Sequence, residues 1–419
     1  MLIQAPKGTQ DVLPQDSGRW QKIEQNMRDV CALAGYREIR TPVFEHTELF
    51  QRGVGDTTDV VQKEMYTFLD KGGRSITLKP EGTAGAVRAA LQAHLFAEAL
   101  PVKLYYISTP VFRYEKPQSG RLREHHQLGV EVFGGKDASL DAEVIRLATD
   151  VLLKNGIDGL RLSINSIGCP VCRKTYNAKL KEFLEPKLPS LCGACRERFE
   201  RNPLRILDCK EPSCQAQLEG APETVDCLCD DCQRHFDSLK AHLDALGLQY
   251  AVDPRIVRGL DYYTKTVFEI IADTPGGKLT VCGGGRYDGL VEQLGGAPTY
   301  GIGFGMGVER ILMTQDMRGI REEEKSLYEA FVCTLGEEAR IEGSKIVREL
   351  RESGISCDLD HAARSLKAQF KYCNKLGVKT VLIVAGDELA QGVVKLRNME
   401  TGEEEIVPRG KIVSRVKKG

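Results

Sequence analysis

No stretch of this 419-residue chain approaches the roughly 18 consecutive apolar residues of a membrane-spanning helix. Charge of one sign is missing too. Lys and Arg number 58 against 59 Asp and Glu, a net charge of −1. No global positive field draws in nucleic acid, so such a partner must be held by local patches. The opening "MLIQAPKGTQDVLPQ" lacks the charged-then-apolar layout of a signal peptide, and the cytoplasm is the expected location. There is no internal repeat and no low-complexity tract. Neither G-x-x-x-x-G-K-[ST] nor a strand-associated G-x-G-x-x-G with a downstream acid occurs, so the usual nucleotide-binding loops are excluded. What is present is ordinary for a soluble globular protein, 42% apolar and 28% charged residues. The length calls for two or three domains.

Cysteine is the exception. There are 14, nine of them between Cys169 and Cys232. In a reducing compartment such a cluster suggests metal rather than disulfides. "CPVC" (169–172) and "CGAC" (192–195) are C-x-x-C pairs about twenty residues apart, a spacing that suits a structural four-cysteine zinc site. "CLCDDC" (227–232), Cys209 and Cys214 offer further ligands, so the ligand set stays open. The alternative is a set of small, buried free thiols.

The spacing of apolar residues predicts a helix over 19–34, ending at Gly35, and a strand over "YREIRTPVFEH" with Pro42 inside it, which implies an edge or an interface. "ITLKPEGTAGAVRAALQAHL" reads as strand, turn and helix with Thr83 as N-cap. Two long strands then form a wide-tipped hairpin, followed by a helix at about 139–155 and a strand at 160–167. Composition shifts between Cys169 and residue 252. The expected domains are 1–168 as the first part of a core, 169–252 as a cysteine-rich insertion, 253–325 as the second part of the core and 326–419 as a small α/β domain. "REEEKSLYEA" (321–330) is the expected linker, and a strand–helix alternation follows it.

Three segments carry the chemistry. In "GIGFGMGVERI" (301–311), Gly301, Gly303, Gly305 and Gly307 share one face of a strand, and Ile302, Phe304, Met306 and Val308 share the other. Four bare pleats in register point to close approach of a flat ligand, with Arg310 just beyond to stack on it or meet its phosphates. On the hairpin, Gln127, Gly129 and Glu131 face one way, while Leu128, Val130 and Val132 face the core. The first face suits a small polar ligand. "RGLDYYTKTVFEI" (258–270) reads as a strand that sets Tyr262 and Tyr263 on opposite sides.

These pieces resemble a known family. "VFRYEKPQSGRLREHHQLGVEVFG", "GIGFGMGVERI" and "GYREIRTPVFE" look like the three signature motifs of class II aminoacyl-tRNA synthetases. "LKPEGTAGAVRA", "RGLDYYTKTVFEI" and "CGGGRYDGLVEQLGG" are similar to the blocks that set the histidyl-tRNA synthetase family apart. His125 departs from the family's aromatic Phe, and the cysteine cluster is denser than the family needs. The resemblance implies an α+β fold: an antiparallel sheet flanked by helices, with an inserted domain and a C-terminal α/β anticodon-binding domain, in a homodimer. It implies ATP with Mg²⁺, L-histidine and histidine tRNA as partners. Glu81, Thr83 and Gln127 would hold the histidine ammonium, and Gly82 would belong to the same histidine-binding site. Glu131 and Tyr263 would meet the imidazole, with Tyr262 and Tyr287 lining the pocket. Arg258 and Arg113 would face the α-phosphate from opposite sides. Glu115, Gly305 and Gly307 would receive adenine, and Arg121 and Arg310 the outer phosphates. Gln118 and Arg123 would meet the tRNA acceptor end. Two rival readings are a non-catalytic, synthetase-like regulatory subunit of ATP phosphoribosyltransferase and a zinc-stabilised nucleic-acid-binding protein. The first is expected to lack the terminal domain and parts of "RGLDYY", and the second leaves the glycine strand and hairpin unexplained.

Overall fold

The computed structural model describes residues 2–55, 58–97, 99–117, 120–207, 209, 211–256, 260–320 and 326–417. The chain divides into two compact units, 1–321 and 322–419. The charged half of the expected linker, 321–325, lies outside the described residues.

The first unit is built on an eight-stranded sheet. Its strands run in the order Arg37–Glu38, Val102–Phe112, Glu124–Phe133, Gly301–Gly307, Gly277–Arg286, Thr264–Thr274, Leu160–Ser166 and Tyr250–Val252. Only the two outermost pairings are parallel. The five inner ones are antiparallel. Strict alternation explains the layering. Leu128, Val130, Val132, Ile302, Phe304 and Met306 form one buried face against the helices Pro14–Leu33 and Ala138–Lys154, and their partners in sequence face the other side.

The Ala138–Lys154 helix starts where Asp137 accepts a hydrogen bond from the Ser139 N–H. Its Asp141 is fully buried and ion-paired with Arg286, which is fully buried as well. Thr266 Oγ1 donates to Asp141 at 2.6 Å, and His235 Nε2 lies 2.8 Å away. Burial alone would push the Asp141 carboxyl up, but Arg286 and His235 outweigh it and hold it below the ordinary carboxylate range. Arg286, which follows the glycines of "CGGGRYDGL", is therefore a fastener of helix to sheet. Asp141→Asn leaves a buried guanidinium poorly compensated, and it is expected to cost about 3–5 kcal/mol in urea unfolding. A loss below about 1 kcal/mol contradicts this account.

"YREIRTPVFEH" is not one strand. Arg37–Glu38 joins the large sheet, while Phe44–His46 belongs to a separate three-stranded sheet with Ser75–Leu78 and Tyr66–Leu69. Pro42 lies between them and, lacking an N–H, cannot carry a ladder across. Beyond Ser166 the chain leaves the sheet for short helices around a small core of Tyr176, Leu180, Leu184, Phe199 and Ile206. The later helix Asp230–Ala245 buries Phe236, Leu239 and Leu243 in the main core.

The second unit is a five-stranded sheet in the order Cys357–Leu359, Ala330–Thr334, Thr380–Val384, Val393–Asn398 and Glu404–Pro408. The first three strands are parallel with helical crossovers, as the alternation predicts. The last two form an antiparallel extension that sequence reasoning missed. Their alternation is weak because one of them, Glu404–Pro408, is exposed at all but Val407. In the basic helix Leu366–Lys375, Lys367, Lys371 and Lys375 are exposed. Arg364 precedes that helix. It pairs with Asp360 at 2.9 Å and stacks on Tyr372 at 4.4 Å.

Candidate active site

The hairpin sets Gln127, Gly129 and Glu131 directly opposite Gly307, Gly305 and Gly303 of the glycine strand. A Cβ added at Gly303 would lie 2.2 Å from the Val130 carbonyl oxygen and 2.3 Å from Glu131 Oε2, and one at Gly305 would lie 2.1 Å from Gln127 Nε2. At Gly301 the obstacle is the Tyr287 ring, at 2.4 Å. Three of the four glycines are thus bare because polar site side chains already lie across them. Only Gly307, whose nearest neighbour is Arg310 at 3.7 Å, has ordinary room. The open face expected for a flat ligand is narrowed to that end. The rest is the floor of a polar pocket.

Tyr106 completes the pocket and was missed. It sits across the hairpin from Gly129. A Cβ would come within 2.4 Å of its ring at Gly129 and 2.5 Å at Gly82. Gly82, expected in the histidine-binding site, is thus a slot for this ring. Only the register reveals the pairing, and an irregularity between Tyr106 and Thr109 hides it from simple counting. Tyr106 Oη donates to Glu131 Oε1 at 3.2 Å, and Tyr287 Oη donates to Oε2. Glu131 is 1% exposed. Burial pushes its carboxyl up to about 8, against the pull of hydrogen bonds from Tyr287, Thr83 and Tyr106.

Glu81 accepts from the Thr83 N–H at 2.7 Å and the Ala84 N–H at 2.8 Å. It does the capping expected of Thr83, which is instead the first residue of the helix Thr83–Gln92. Burial raises the Glu81 pKa, and the two amide bonds oppose that rise. Gln127 Oε1 is buried without a hydrogen-bond partner among the described residues. An orphaned buried acceptor is costly and marks a place for an arriving donor.

Tyr262 and Tyr263 do not lie on a strand, which begins only at Thr264. They occupy a turn, and both are buried rather than facing apart. Their rings are 4.7 Å apart and tilted at 45°, with Tyr262 5.7 Å from Tyr287. Arg173, from the helix Pro170–Leu184, holds this turn by donating to the Asp261 and Tyr263 carbonyls. Tertiary contacts of this kind override local β-propensity. Arg258 and Gln118 lie outside the described residues.

At the other end, Arg113 falls just past the first hairpin strand, Val102–Phe112, and donates from Nε to the Pro80 carbonyl at 2.9 Å. Its charge acts on Glu81 and Glu64, opposing the rise that burial gives both carboxyls. Arg310, in the first turn of the helix Val308–Met317, donates to the Thr280 and Gly120 carbonyls at 2.6 and 3.2 Å. Burial, then the like charge of Arg121, keeps its pKa below the usual value. Arg121 in turn lies 3.7 Å from Glu115. Two arginines and a carboxylate therefore converge near open Gly307. Arg123 stacks on Tyr114 at 4.2 Å and donates to the Glu115 carbonyl at 3.2 Å, so it braces the hairpin tip.

The cysteines do not combine as the nearest-neighbour spacing suggests. "CPVC" and "CGAC" belong to two different groups, Cys169/Cys172/Cys229/Cys232 and Cys192/Cys195/Cys209/Cys214.

Residues 8–176 and 214–311 match the family model of histidyl-tRNA synthetase, and residues 329–419 match that of an anticodon binding domain. The segment 177–213 falls between the first two stretches. The chain is 57% identical over 404 residues to the histidine–tRNA ligase of Caldanaerobacter subterraneus subsp. tengcongensis, covering 96% of this chain and 97% of that one. It is 55% identical over 417 residues to the histidine–tRNA ligase of Thermoanaerobacter pseudethanolicus, covering all of both. Among solved structures, apo histidyl-tRNA synthetase of S. aureus superposes with a TM-score of 0.85 at 38% identity, covering 99% of this chain and 100% of that one. The fold is accordingly that of a class II aminoacyl-tRNA synthetase followed by an anticodon-binding domain. Within that class, the chain belongs to the histidyl-tRNA synthetase family.

Proposed function

We propose that this chain is a histidine–tRNA ligase, which activates L-histidine with ATP to histidyl-adenylate and pyrophosphate and then esterifies the 3′ end of its tRNA. Family membership supports the reaction. The observation that carries the substrate is the pairing, in one buried pocket, of an orphaned Gln127 carbonyl with the Glu131 carboxyl. An ammonium has donors only, and an imidazole offers a ring N–H. The pocket supplies an acceptor for each. Gln127 and Glu81 would take the ammonium, with Thr83 alongside. Glu131, with Tyr263, would take the ring, and Tyr262 and Tyr287 would wall it. The rival regulatory-subunit reading is disfavoured by the full-length relatives, which are named as ligases.

The carboxylate of histidine attacks the α-phosphorus of ATP, which arrives as its Mg²⁺ complex. Negative charge grows on the phosphoryl oxygens, so fixed cations do most of the work and no protein nucleophile is required. Arg113 and, by resemblance, Arg258 would flank the α-phosphate. Arg121 and Arg310 would hold the outer phosphates, and adenine would lie at the Gly305–Gly307 end near Glu115. Gln118 and Arg123 are proposed at the acceptor end. We assign residues 169–252 as an insertion within a core formed by 1–168 and 253–325. Residues 326–419 would grip the anticodon end. A homodimer is proposed on the Pro42 region, where Val43 and Phe44 are exposed.

Glu131→Gln tests the pocket in two ways. Histidine affinity measured by calorimetry is expected to fall about 10- to 100-fold, because a ring N–H loses its carboxylate. Histidine-free stability should move the other way. A carboxyl raised from its ordinary value to about 8 subtracts stability as pH climbs from about 4.5 through about 8. The Gln variant escapes that loss, so its advantage in melting temperature should be small at pH 5 and larger at pH 8. Unchanged affinity, or an advantage that shrinks with pH, counts against the assignment.

A further inference from the structure

Eight of the nine clustered cysteines form two compact sets, and nothing in the proposed ligase chemistry uses them. In each set the four Sγ atoms lie within 4.8 Å of one another. The separations of Cys169 from Cys172 and Cys229 are 3.6 and 4.0 Å, and Cys192 lies 4.0 Å from Cys209. A disulfide needs about 2.05 Å. Four thiolates bound tetrahedrally at about 2.3 Å from one zinc stand ~3.8 Å apart. The observed spacing is that of a mononuclear metal, and a multi-iron cluster would splay the sulfurs further.

The local backbone supports the same reading. Cys169, Cys192 and Cys229 are each the N-cap of a helix, and Cys172, Cys195 and Cys232 lie in the first turns of those helices. Helix N-termini favour thiolates over thiols. Two of the sulfurs accept backbone N–H bonds, Cys172 from Cys229 at 3.1 Å and Cys214 from Cys192 at 3.2 Å. Such bonds orient and stabilise a metal-bound thiolate.

We propose that the chain binds two structural zinc ions, one held by Cys169, Cys172, Cys229 and Cys232 and the other by Cys192, Cys195, Cys209 and Cys214. Each ligating thiol gives up its proton on binding. The sites have different tasks. The first ties the exit from the sheet, at Cys169, to the helix Asp230–Ala245, which returns to the main core. It also fixes Cys172, whose neighbour Arg173 holds the Tyr262–Tyr263 turn. The second staples a helical subdomain with only a small apolar core, which needs such support. Three of its four ligands lie in the 177–213 segment that the family model does not cover.

The test is elemental analysis of the full chain, purified without immobilised-metal resin or chelator. Two zinc ions per chain are expected, with all eight thiols shielded from Ellman's reagent until a chelator strips the metal. Cys192→Ser/Cys195→Ser and Cys169→Ser/Cys172→Ser should each lose one ion and keep the other. If either variant fails to fold, cobalt loaded into the parent decides the matter. The intense visible bands of tetrahedral thiolate cobalt should rise linearly to two equivalents and stop. The proposal is overturned by metal-free protein with reactive thiols, by thiols lost to disulfides, or by a single ion that both variants lose.

Discussion

Replacing Arg113 with alanine is expected to slow histidyl-adenylate formation by about 10²- to 10³-fold, the usual loss when one preorganised donor to a developing charge is removed. Histidine affinity should fall far less. Arg113 is anchored through Nε to the Pro80 carbonyl, next to Glu81, whose ionised form its charge favours. A modest loss of ammonium binding is therefore expected, whereas the other groups proposed for the amino acid, Gln127 and Glu131, lie further along the second strand. An arginine poised at the α-phosphate acts mainly as charge builds, so kcat should fall far more than KM rises. Pyrophosphate exchange gives the rate and calorimetry gives the affinity. A folded variant with unchanged exchange removes Arg113 from the chemistry. The same outcome is expected of Arg258→Ala.

The second large effect separates the two half-reactions. A chain cut near Glu324 is expected to retain histidine activation and to lose efficient tRNA charging. Each unit has its own buried core, one around Leu128, Val130 and Ile302 and the other around Val332, Leu350 and Leu382. Units with independent cores are separable in principle, and every residue proposed for the chemistry precedes the cut. In the terminal unit, exposed Lys367, Lys371 and Lys375 offer local positive charge on a chain whose net charge is −1. Losing two charge-assisted contacts at about 1.5–3 kcal/mol each lowers tRNA affinity by about 10²-fold or more. Affinity should also become less sensitive to salt. Both half-reactions are measured on truncated protein shown to be folded. Collapse of exchange along with charging means that the terminal unit supports the active site itself. Full charging means that it is not the tRNA grip.

What was legible in the sequence follows from periodicity. The hairpin faces, the glycine strand and the parallel part of the terminal unit all obey a two-residue or helical repeat, and their core sides are buried as expected. The misses have a common cause, which is that contacts distant in sequence override local pattern. "RGLDYY" has the composition of a strand, yet Arg173, some ninety residues earlier, holds its tyrosines in a turn. Tyr106 could be placed over Gly129 and Gly82 only once the register was known. The nearest spacing of the cysteine pairs joins "CPVC" to "CGAC", whereas folding joins "CPVC" to Cys229 and Cys232 across about sixty residues. The four glycines did signal close approach, but the groups that approach three of them are the protein's own.

The most direct measurement is amino-acid-dependent exchange of pyrophosphate into ATP by the full chain, with each amino acid supplied alone and without tRNA. Exchange reports formation of the adenylate and needs neither the terminal unit's grip nor the acceptor end. The pocket built on Gln127 and Glu131 predicts exchange with histidine and with no other amino acid. Absence of exchange with histidine in folded protein, or equal exchange with a different amino acid, contradicts the account.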